Sequence, residues 1–274
     1  MKVVASKGEE VYKSSIIRRF REKVPSHKIT SESLRLGIFL AAVGGFLDAY
    51  TFICRGGVFA NAETGNMVLL ALGLTNKNYK SSLMASVQIL FYVLGVLVTE
   101  AIREHSIKKY NESVKAEKLI LVIEAVILFI IGFIPNTIPN IFITSTIAFI
   151  SSIQISSFRR LVDSPYSTTM CTGNLRTASQ SAYLAITKKN KEAQTRAIRY
   201  FIIIIFFLVG ASLGGVLTIN FGVKSIWFCS ILLIIAKIIF NIDEYRFKEN
   251  NTKFLWYGKQ FYIEIILMFV YNTL

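Results

Sequence analysis

The sequence contains few of the residues from which metal and catalytic sites are usually built. It has two histidines, His27 and His105, and three cysteines, Cys54, Cys171 and Cys229. The histidines lie in polar stretches, and the cysteines are far apart, in or beside apolar segments. No disulfide framework or metal-ligand spacing can be made from this set. We therefore expect no metal and no cofactor.

Acidic residues are also scarce, with 17 Asp and Glu against 31 Lys and Arg, which gives a net charge of +14. A nucleic-acid-binding protein would carry such charge on one basic face of a folded domain, together with stacking aromatic residues. Here the basic residues cluster between apolar runs, a distribution typical of the cytoplasmic loops of membrane proteins. The distribution of charge therefore predicts a lipid bilayer as partner, and no nucleic acid.

Apolar residues are abundant, at 53% of the chain with 18% charged and a mean hydropathy of +0.51. A soluble domain is about 45–50% apolar and about 25% charged. A membrane helix needs roughly 20 apolar residues, and six runs come close. These runs are Leu34–Cys54, Ser82–Ile102, Leu119–Ile134, Pro139–Phe158, Ile198–Asn220 and Val223–Asn241. We predict an all-α membrane protein with about six transmembrane helices, the third of which is short and could begin inside the preceding loop.

Two further apolar stretches, Val58–Leu74 and Ser167–Ile186, are each interrupted by the tripeptide Thr-Gly-Asn. The two copies are 108 residues apart (172 minus 64). A span with one buried polar residue precedes each copy, and a polar or basic loop with two more spans follows it. This shared order predicts an internal repeat, with halves at 34–134 and 139–241.

The charge of the loops indicates how the interrupted stretches sit in the membrane. If both stretches crossed it, giving eight spans, the basic loop Arg103–Lys118 would lie outside. If both were re-entrant, six spans would place the N-terminus, Arg103–Lys118, Arg159–Arg199 and the basic tail in the cytoplasm. Three spans per half then make the repeat inverted, as in many transporters. We favour six spans and keep eight as the alternative.

The two ends of the chain differ from this membrane domain. Residues 1–33 are polar and basic, which fits either a cytoplasmic leader on anionic lipid or a disordered tail. Residues 242–274 form a basic linker followed by the apolar stretch Phe254–Leu274. That stretch predicts an interfacial helix or a seventh span.

The two tripeptides, Thr64-Gly65-Asn66 and Thr172-Gly173-Asn174, are predicted to begin helices about half a bilayer long. Their free N–H groups and positive dipole ends would attract anions or carboxylates near the membrane centre. Arg176, one turn into the second helix, would strengthen such a site. We therefore predict these seven residues to bind substrate. In the alternative interpretation, the glycines only permit packing and the asparagines only cap.

Asp48 and Gln154 are the buried polar residues of the spans that precede the two copies. Ionisable groups at such depth are costly and usually face a cavity or a partner. Asp48 is predicted either to relay a coupling proton or cation, or to form a buried pair with Arg55 or Arg176. Gln154 indicates that the second half needs hydrogen bonding at this place, with charge optional.

One catalytic pattern is present, since Gly210-Ala211-Ser212-Leu213-Gly214 has nucleophile-elbow spacing. That chemistry needs a base beside the serine and a strand-to-helix turn. Both are missing from this segment, and small residues at such spacing let membrane helices approach closely. We therefore predict no enzyme, and small-residue faces make a homodimer plausible.

The chain resembles the YoaK family of bacterial membrane proteins, a domain of unknown function, over about Leu34 to Asn241. The stretches that carry the resemblance are Gly44–Ala49, Gly57–Asn61, Thr64–Asn66, Gln154, Thr168-Thr169 and Thr172–Leu175. Glu63 and Ile155 depart from the family pattern, and Ile155 weakens any claim that a Gln-Asn pair is needed. The resemblance implies a multi-pass protein of the bacterial inner membrane and supplies no substrate.

The residues and the repeat together lead to two functional hypotheses. The first is a small secondary transporter or channel for an anionic or carboxylate-bearing metabolite, with a cytoplasmic N-terminus. The second is a membrane scaffold or accessory subunit whose polar residues only hold helices together. Substitution of Asn66, Asn174 and Arg176 separates the two, because only a transporter would lose flux.

Overall fold

The computed structural model describes residues 33–106, 110–161, 164–169 and 171–245, and this part of the chain is almost entirely helical. Its helices are α1 (Leu34–Cys54), α2 (Glu63–Thr75), α3 (Tyr79–Ser106), α4 (Tyr110–Ile131), α5 (Asn140–Ser157), α6 (Cys171–Lys188), α7 (Lys191–Phe221), a 3-10 helix (Gly222–Ile226) and α8 (227–245). Strands β1 (Arg160–Leu161) and β2 (Ser164–Pro165) form one short antiparallel pair. The all-α class is confirmed. The predicted leader, except Ser33, and the stretch Phe254–Leu274 lie outside the described residues.

Four helical stretches of the described residues are long and apolar enough to cross a membrane: Leu34–Cys54, Tyr79–Glu104, Asn140–Ser157 and Lys191–Tyr245. The last of these contains α7 and α8, which the 3-10 helix separates. The predicted run Leu119–Ile134 falls on α4, which does not belong to this set. The reason is local, because Glu117, Lys118 and Glu124 lie in or beside its apolar part.

The outer surface of the bundle is apolar, whereas many polar side chains are buried. Large exposed apolar side chains occur along α3, α4, α7 and α8: Leu83, Leu97, Val126, Phe129, Val216, Ile219, Ile231 and Ile234. Gln88, Glu124, Thr144 and Gln154 are buried instead. Water-soluble domains rarely expose apolar surface on this scale. The arrangement fits a protein surrounded by lipid.

Several helices extend beyond the predicted apolar runs. The segment Arg103–Lys118, expected to be a loop, is largely helical, since α3 continues to Ser106 and α4 begins at Tyr110. Arg, Lys and Glu are good helix formers, so a helix can continue past its apolar part. Likewise α7 begins at Lys191 rather than Ile198, where the Asn190 side chain accepts from the N–H groups of the first turn.

Extensive helix interfaces join α1 to α7, α3 to α5 and α6 to α7. On α7, Gly210 lies against the carbonyl oxygen of Ala42, and Gly214 packs on Phe46. On α3, Gly95 lies against the carbonyl oxygen of Phe149 and the Ser152 hydroxyl. Earlier in the α3–α5 pair, Gln88 on α3 bonds to Thr144 on α5, so in both the α1–α7 and the α3–α5 pair the contacts advance in the same direction and the paired helices run parallel. A glycine thus allows backbone contact at each of these two interfaces.

Contacts at the two ends of the bundle fix where the helices begin and end. At one end, Gly56 after α1 lies beside Met84 near the start of α3 and Asn140 at the start of α5. The buried Arg55 reaches the chain after α4 at the same end, donating to the Ile134 carbonyl oxygen at 3.0 Å. At the other end, ion pairs join Arg35 to Asp243 (3.6 Å) and Lys118 to Glu244. The apolar core between these ends is formed mainly by α1, α4, α5 and α8.

Candidate functional site

The asparagine of the first Thr-Gly-Asn copy holds the loop that precedes α2. Asn66 Oδ1 accepts from the Phe59 backbone N–H at 2.9 Å, and Asn66 Nδ2 donates to the Phe59 carbonyl oxygen at 2.8 Å. The same Nδ2 donates to Glu63 Oε2 at 3.1 Å. The side chain is fully buried. Asn66 therefore fixes the loop to the first turns of α2.

The second copy repeats this contact at the same spacing. Asn174 Nδ2 donates to the Ser167 carbonyl oxygen at 2.6 Å, again seven residues earlier in the chain. Asn174 is buried, whereas Thr172 and Gly173 are exposed at the start of α6. In the first copy Thr64 is likewise exposed and Gly65 half-buried. In both copies the asparagine faces the interior and the threonine faces outward.

Asp48 reaches the loop before α2 from the middle of α1. Its Oδ1 accepts from the Asn61 backbone N–H at 2.7 Å, and the N–H groups of Ala60 and Ala62 also interact with the carboxylate. Helix α2 has no side-chain cap of its own at Ala62. The Asp48 carboxylate therefore supplies negative charge at the start of α2, where the helix dipole favours it.

Neither arginine proposed as a partner for Asp48 is bonded to it among the described residues. Arg55 is buried at the end of α1, where Nε donates to Tyr50 Oη at 2.9 Å and Nη1 to Asn136 Oδ1 at 3.4 Å. Arg176 lies on an exposed part of α6. Among the described residues, the groups that donate to the Asp48 carboxyl are thus backbone N–H groups.

The loops of the two halves meet at Gly44 on α1. Asn61 Nδ2 donates to the Gly44 carbonyl oxygen at 3.3 Å. The Thr169 methyl group lies so close to Gly44 that a side chain there would collide with it. Asn61 and Thr169 are separated by the same 108 residues as the two tripeptides. Two loop positions that the 108-residue offset aligns therefore lie together beside one helix.

Several buried oxygen atoms of the residues around this contact have no hydrogen-bond partner in the part of the chain that the structure describes. They are Asp48 Oδ2, Asn61 Oδ1, Glu63 Oε1, Thr168 Oγ1 and Thr169 Oγ1, and we call these five residues the loop junction. Asp48 and Asn61 are 5% exposed, Thr169 is 6% and Thr168 is 0%. An unpaired polar group away from water costs several kcal/mol in a membrane interior. Such a concentration of them points to a binding site.

Gln154 lies in a different environment from Asp48. Its Nε2 donates to Glu124 Oε2 on α4 at 2.9 Å, and both side chains are buried. Glu124 Oε1 on α4 and Ser151 Oγ on α5 also have no partner among the described residues. This pair forms a second buried polar contact, between α4 and α5, and Gln154 is not bonded to the loop junction.

The structure therefore brings only part of the predicted site together. Asp48 belongs to the loop junction, and Asn66 holds its first loop, while Thr64, Thr172, Gly173 and Arg176 are exposed. The remaining junction residues were not identified as site residues from the sequence. The 108-residue offset was the available signal, because it aligns Asn61 with Thr169 immediately before the repeated helices.

Comparison with known proteins gives a family match and no assigned activity. A family model described as "Protein of unknown function (DUF1275)" matches residues 36–239, which include the loop junction and both tripeptides. No curated protein and no solved structure matches the chain.

Proposed function

The chain belongs to the DUF1275 family of proteins of unknown function, with which the resemblance to YoaK agrees, and we propose that it is a small secondary transporter for a carboxylate-bearing solute. The observation that carries the proposal is the loop junction. Two loops that precede repeated helices meet there, inside an apolar bundle, with unpaired oxygen atoms.

The proposed topology has six spans, which are α1, α3, α4, α5, α7 and α8. Helices α2 and α6 are proposed to be re-entrant, so that each enters the membrane and leaves it on the same side. The contact between Gly56, which follows α1, and Met84, near the start of α3, supports this topology. It means that the chain leaves α1 and enters α3 at the same end of the bundle, with α2 between them.

Helix α2 has 13 residues and is about 20 Å long, too short to cross a core of about 30 Å. Helix α6 has 18 residues and is about 27 Å long, so the prediction of a half-bilayer helix is wrong for the second copy. The parallel pairs α1–α7 and α3–α5 are those expected of an inverted repeat.

The proposed location is the bacterial inner membrane, with the N-terminus in the cytoplasm. The end of the bundle that contains Arg35, Lys118 and Arg159 is rich in basic residues, as are the neighbouring segments of the sequence. The opposite end has few, which favours the first end as the cytoplasmic one.

The start of α6 is the proposed site for the carboxylate of the solute. Helix α6 has no acidic residue in its first turn, whereas α2 has Glu63 in its first turn and Asp48 beside it. The free N–H groups of a helix start attract an anion, and the hydroxyls of Thr168 and Thr169 can donate further bonds. Arg176 is exposed, so the helix end and the hydroxyls take the role first proposed for it.

Flux into proteoliposomes tests this function. The purified protein is reconstituted, and uptake of a panel of labelled mono- and dicarboxylates is measured with the wild type. Replacing Thr168 and Thr169 by valine keeps their shape and removes both hydroxyls. We expect at least a tenfold loss of uptake, since two hydrogen bonds to a charged group are worth about 3 kcal/mol or more.

Thr187→Val, on the exposed end of α6, is the matched control and should leave uptake unchanged. Equal uptake by the double variant and the wild type would overturn the assignment of the site. Absence of any uptake across the panel would favour a membrane scaffold, for which the structure offers one supporting observation. Asn66 and Asn174 both use their amide groups to hold their own loops.

A further inference from the structure

We propose that the loop junction binds a small monovalent cationic group, either an alkali-metal ion or the primary ammonium group of the solute. This inference deepens the proposed function and rests on it for its purpose. The binding itself follows from the contacts of the loop junction alone.

The first reason is that the unpaired atoms of the junction are oxygen acceptors. Asp48 Oδ2 and Glu63 Oε1 are carboxylate oxygens, and Asn61 Oδ1 is an amide oxygen. The orientation of Asn61 is fixed, because its Nδ2 donates to the Gly44 carbonyl oxygen. The hydroxyls of Thr168 and Thr169 can also accept. Such a set suits a hard cation or the three N–H donors of an ammonium group.

The second reason is that the described residues place no positive side chain on the carboxylates of the junction. Arg55 donates to Tyr50, Ile134 and Asn136, and no ion pair to Asp48 occurs within the described ranges. Asp48 Oδ1 accepts from the Asn61 backbone N–H, two residues before Glu63, so the two carboxylates lie near the start of the same helix. Two carboxylates near one another in an apolar bundle repel, and a bound cation would remove that cost.

The charge of the junction favours a monovalent rather than a divalent group. Only two of the five unpaired oxygen atoms of the junction belong to carboxylates, Asp48 Oδ2 and Glu63 Oε1. The remaining ligands are neutral. A calcium site usually has several carboxylate oxygens among six to eight ligands.

The two halves also predict one such site per chain rather than two. At the 108-residue offset, Cys171 corresponds to Glu63, and α5, which precedes the second loop as α1 precedes the first, contains no Asp or Glu. The second half therefore has no counterpart of either carboxylate at these places. The cation is therefore proposed to bind on the side of the junction formed with Asp48 and Glu63. The solute carboxylate is proposed to bind at the start of α6, and the hydroxyls of Thr168 and Thr169 can accept toward the first site and donate toward the second.

Thermal unfolding of the full chain in detergent tests the inference without any transport assay. Choline chloride keeps the ionic strength constant while NaCl, KCl, LiCl or methylammonium chloride replaces it. A cation that binds only the folded state at a hundredfold excess over its Kd should raise the midpoint by roughly 5 °C. A shift with an alkali ion assigns the site to a metal ion, and a shift with methylammonium alone assigns it to an ammonium group.

Asp48→Asn and Thr169→Val should each abolish most of that shift. Asp243→Asn, at the far end of α8, is the matched control and should keep it. If Asp48→Asn does not fold, Thr169→Val carries the test, because valine preserves the shape of the side chain. No shift with any monovalent cation, or a larger shift with CaCl2, would overturn the inference.

The outcomes for the two proposals are distinguishable. A rise of the unfolding midpoint with a cation that depends on Asp48, without uptake of any solute, would support the cation site and overturn transport. Uptake that depends on Thr168 and Thr169, without a cation shift, would leave transport standing and overturn the cation site.

Discussion

The loop before α2 and the loop before α6 are built alike and charged differently. In each, a buried asparagine bonds to the backbone seven residues earlier, to Phe59 in the first loop and to Ser167 in the second. Around this shared contact the first half has two carboxylates, Asp48 on α1 and Glu63 at the start of α2. In the second half α5 contains no Asp or Glu, and Cys171 is at the start of α6.

This difference indicates which features of the repeat serve the fold and which serve chemistry. A loop that must enter an apolar bundle needs its backbone groups satisfied, and one amide side chain does this in both halves. Nothing in the fold requires the same charge on both sides. The proposed site, which would hold a positive and a negative group together, needs unlike sides, and the difference between the halves is consistent with that proposal.

The largest expected effect comes from removing a feature that both halves share, the glycine at the parallel interfaces. A methyl group on Gly210 would collide with the Ala42 carbonyl oxygen, and one on Gly95 with the Phe149 carbonyl oxygen. Because backbone cannot yield as a side chain can, we expect Gly210→Ala and Gly95→Ala each to lower the free energy of unfolding by about 3 kcal/mol. Denaturant titration in mixed micelles measures this.

Gly215→Ala is the control for that experiment. Gly215 is on the same helix as Gly210, and the nearest atom to an added methyl is Ile53 Cδ1 at 3.8 Å, an ordinary contact. We expect no loss of stability there. If Gly210→Ala or Gly95→Ala were as stable as Gly215→Ala, the two interfaces would not be as close as described.

A smaller effect is expected from removing the asparagines, and it should differ between the halves. Asn66 makes three hydrogen bonds, two with Phe59 and one with Glu63, whereas one is found for Asn174. At about 1 kcal/mol for each bond, Asn66→Ala should cost about 3 kcal/mol at most and Asn174→Ala about 1 kcal/mol. Thermal unfolding of the two variants side by side measures the ratio.

Equal losses for the two asparagine variants would contradict the unequal bonding. Asn76→Ala is a suitable reference, because Asn76 follows α2 and its backbone N–H, which alanine retains, makes the bonds to Leu72 and Leu74. Its loss should be small. A large loss at Asn76 would mean that the assay responds to any change near α2.

The fold could be predicted from the sequence wherever its signals were long. The bounds of two predicted apolar runs agree with those of α1 and α5 to within one residue, because lipid requires roughly 20 apolar residues in succession. The ends of α3, α4 and α7 could not be found in this way. Charged residues such as those between Arg103 and Lys118 end an apolar run without ending a helix.

The site was less predictable, since a motif does not reveal the direction of its side chains. The tripeptides drew attention to Thr64 and Thr172, which face outward, while the residues that meet lie just before them. That Asp48 is buried could be inferred from its depth in an apolar run. That its partners are backbone groups of the next loop, rather than an arginine, depends on how the chain folds back after α1.

The smallest expected effect concerns the glycines of the tripeptides, for which the halves should respond with opposite sign. A methyl group on Gly65 would lie 2.8 Å from the Phe59 ring, whereas one on Gly173 meets nothing within 4 Å. Alanine is favoured over glycine in helices by up to about 1 kcal/mol. We therefore expect Gly65→Ala to destabilise by about 1 kcal/mol, because the ring must move, and Gly173→Ala to stabilise by about 0.5 kcal/mol. Thermal midpoints of both variants, measured in the same detergent, test this prediction.

A loss of stability for Gly173→Ala equal to that for Gly65→Ala would mean that the second glycine is needed by a ligand or a neighbouring chain rather than by the fold. That result would make the two tripeptides equivalent in function, and the contrast drawn between the two loops would then be limited to the carboxylates.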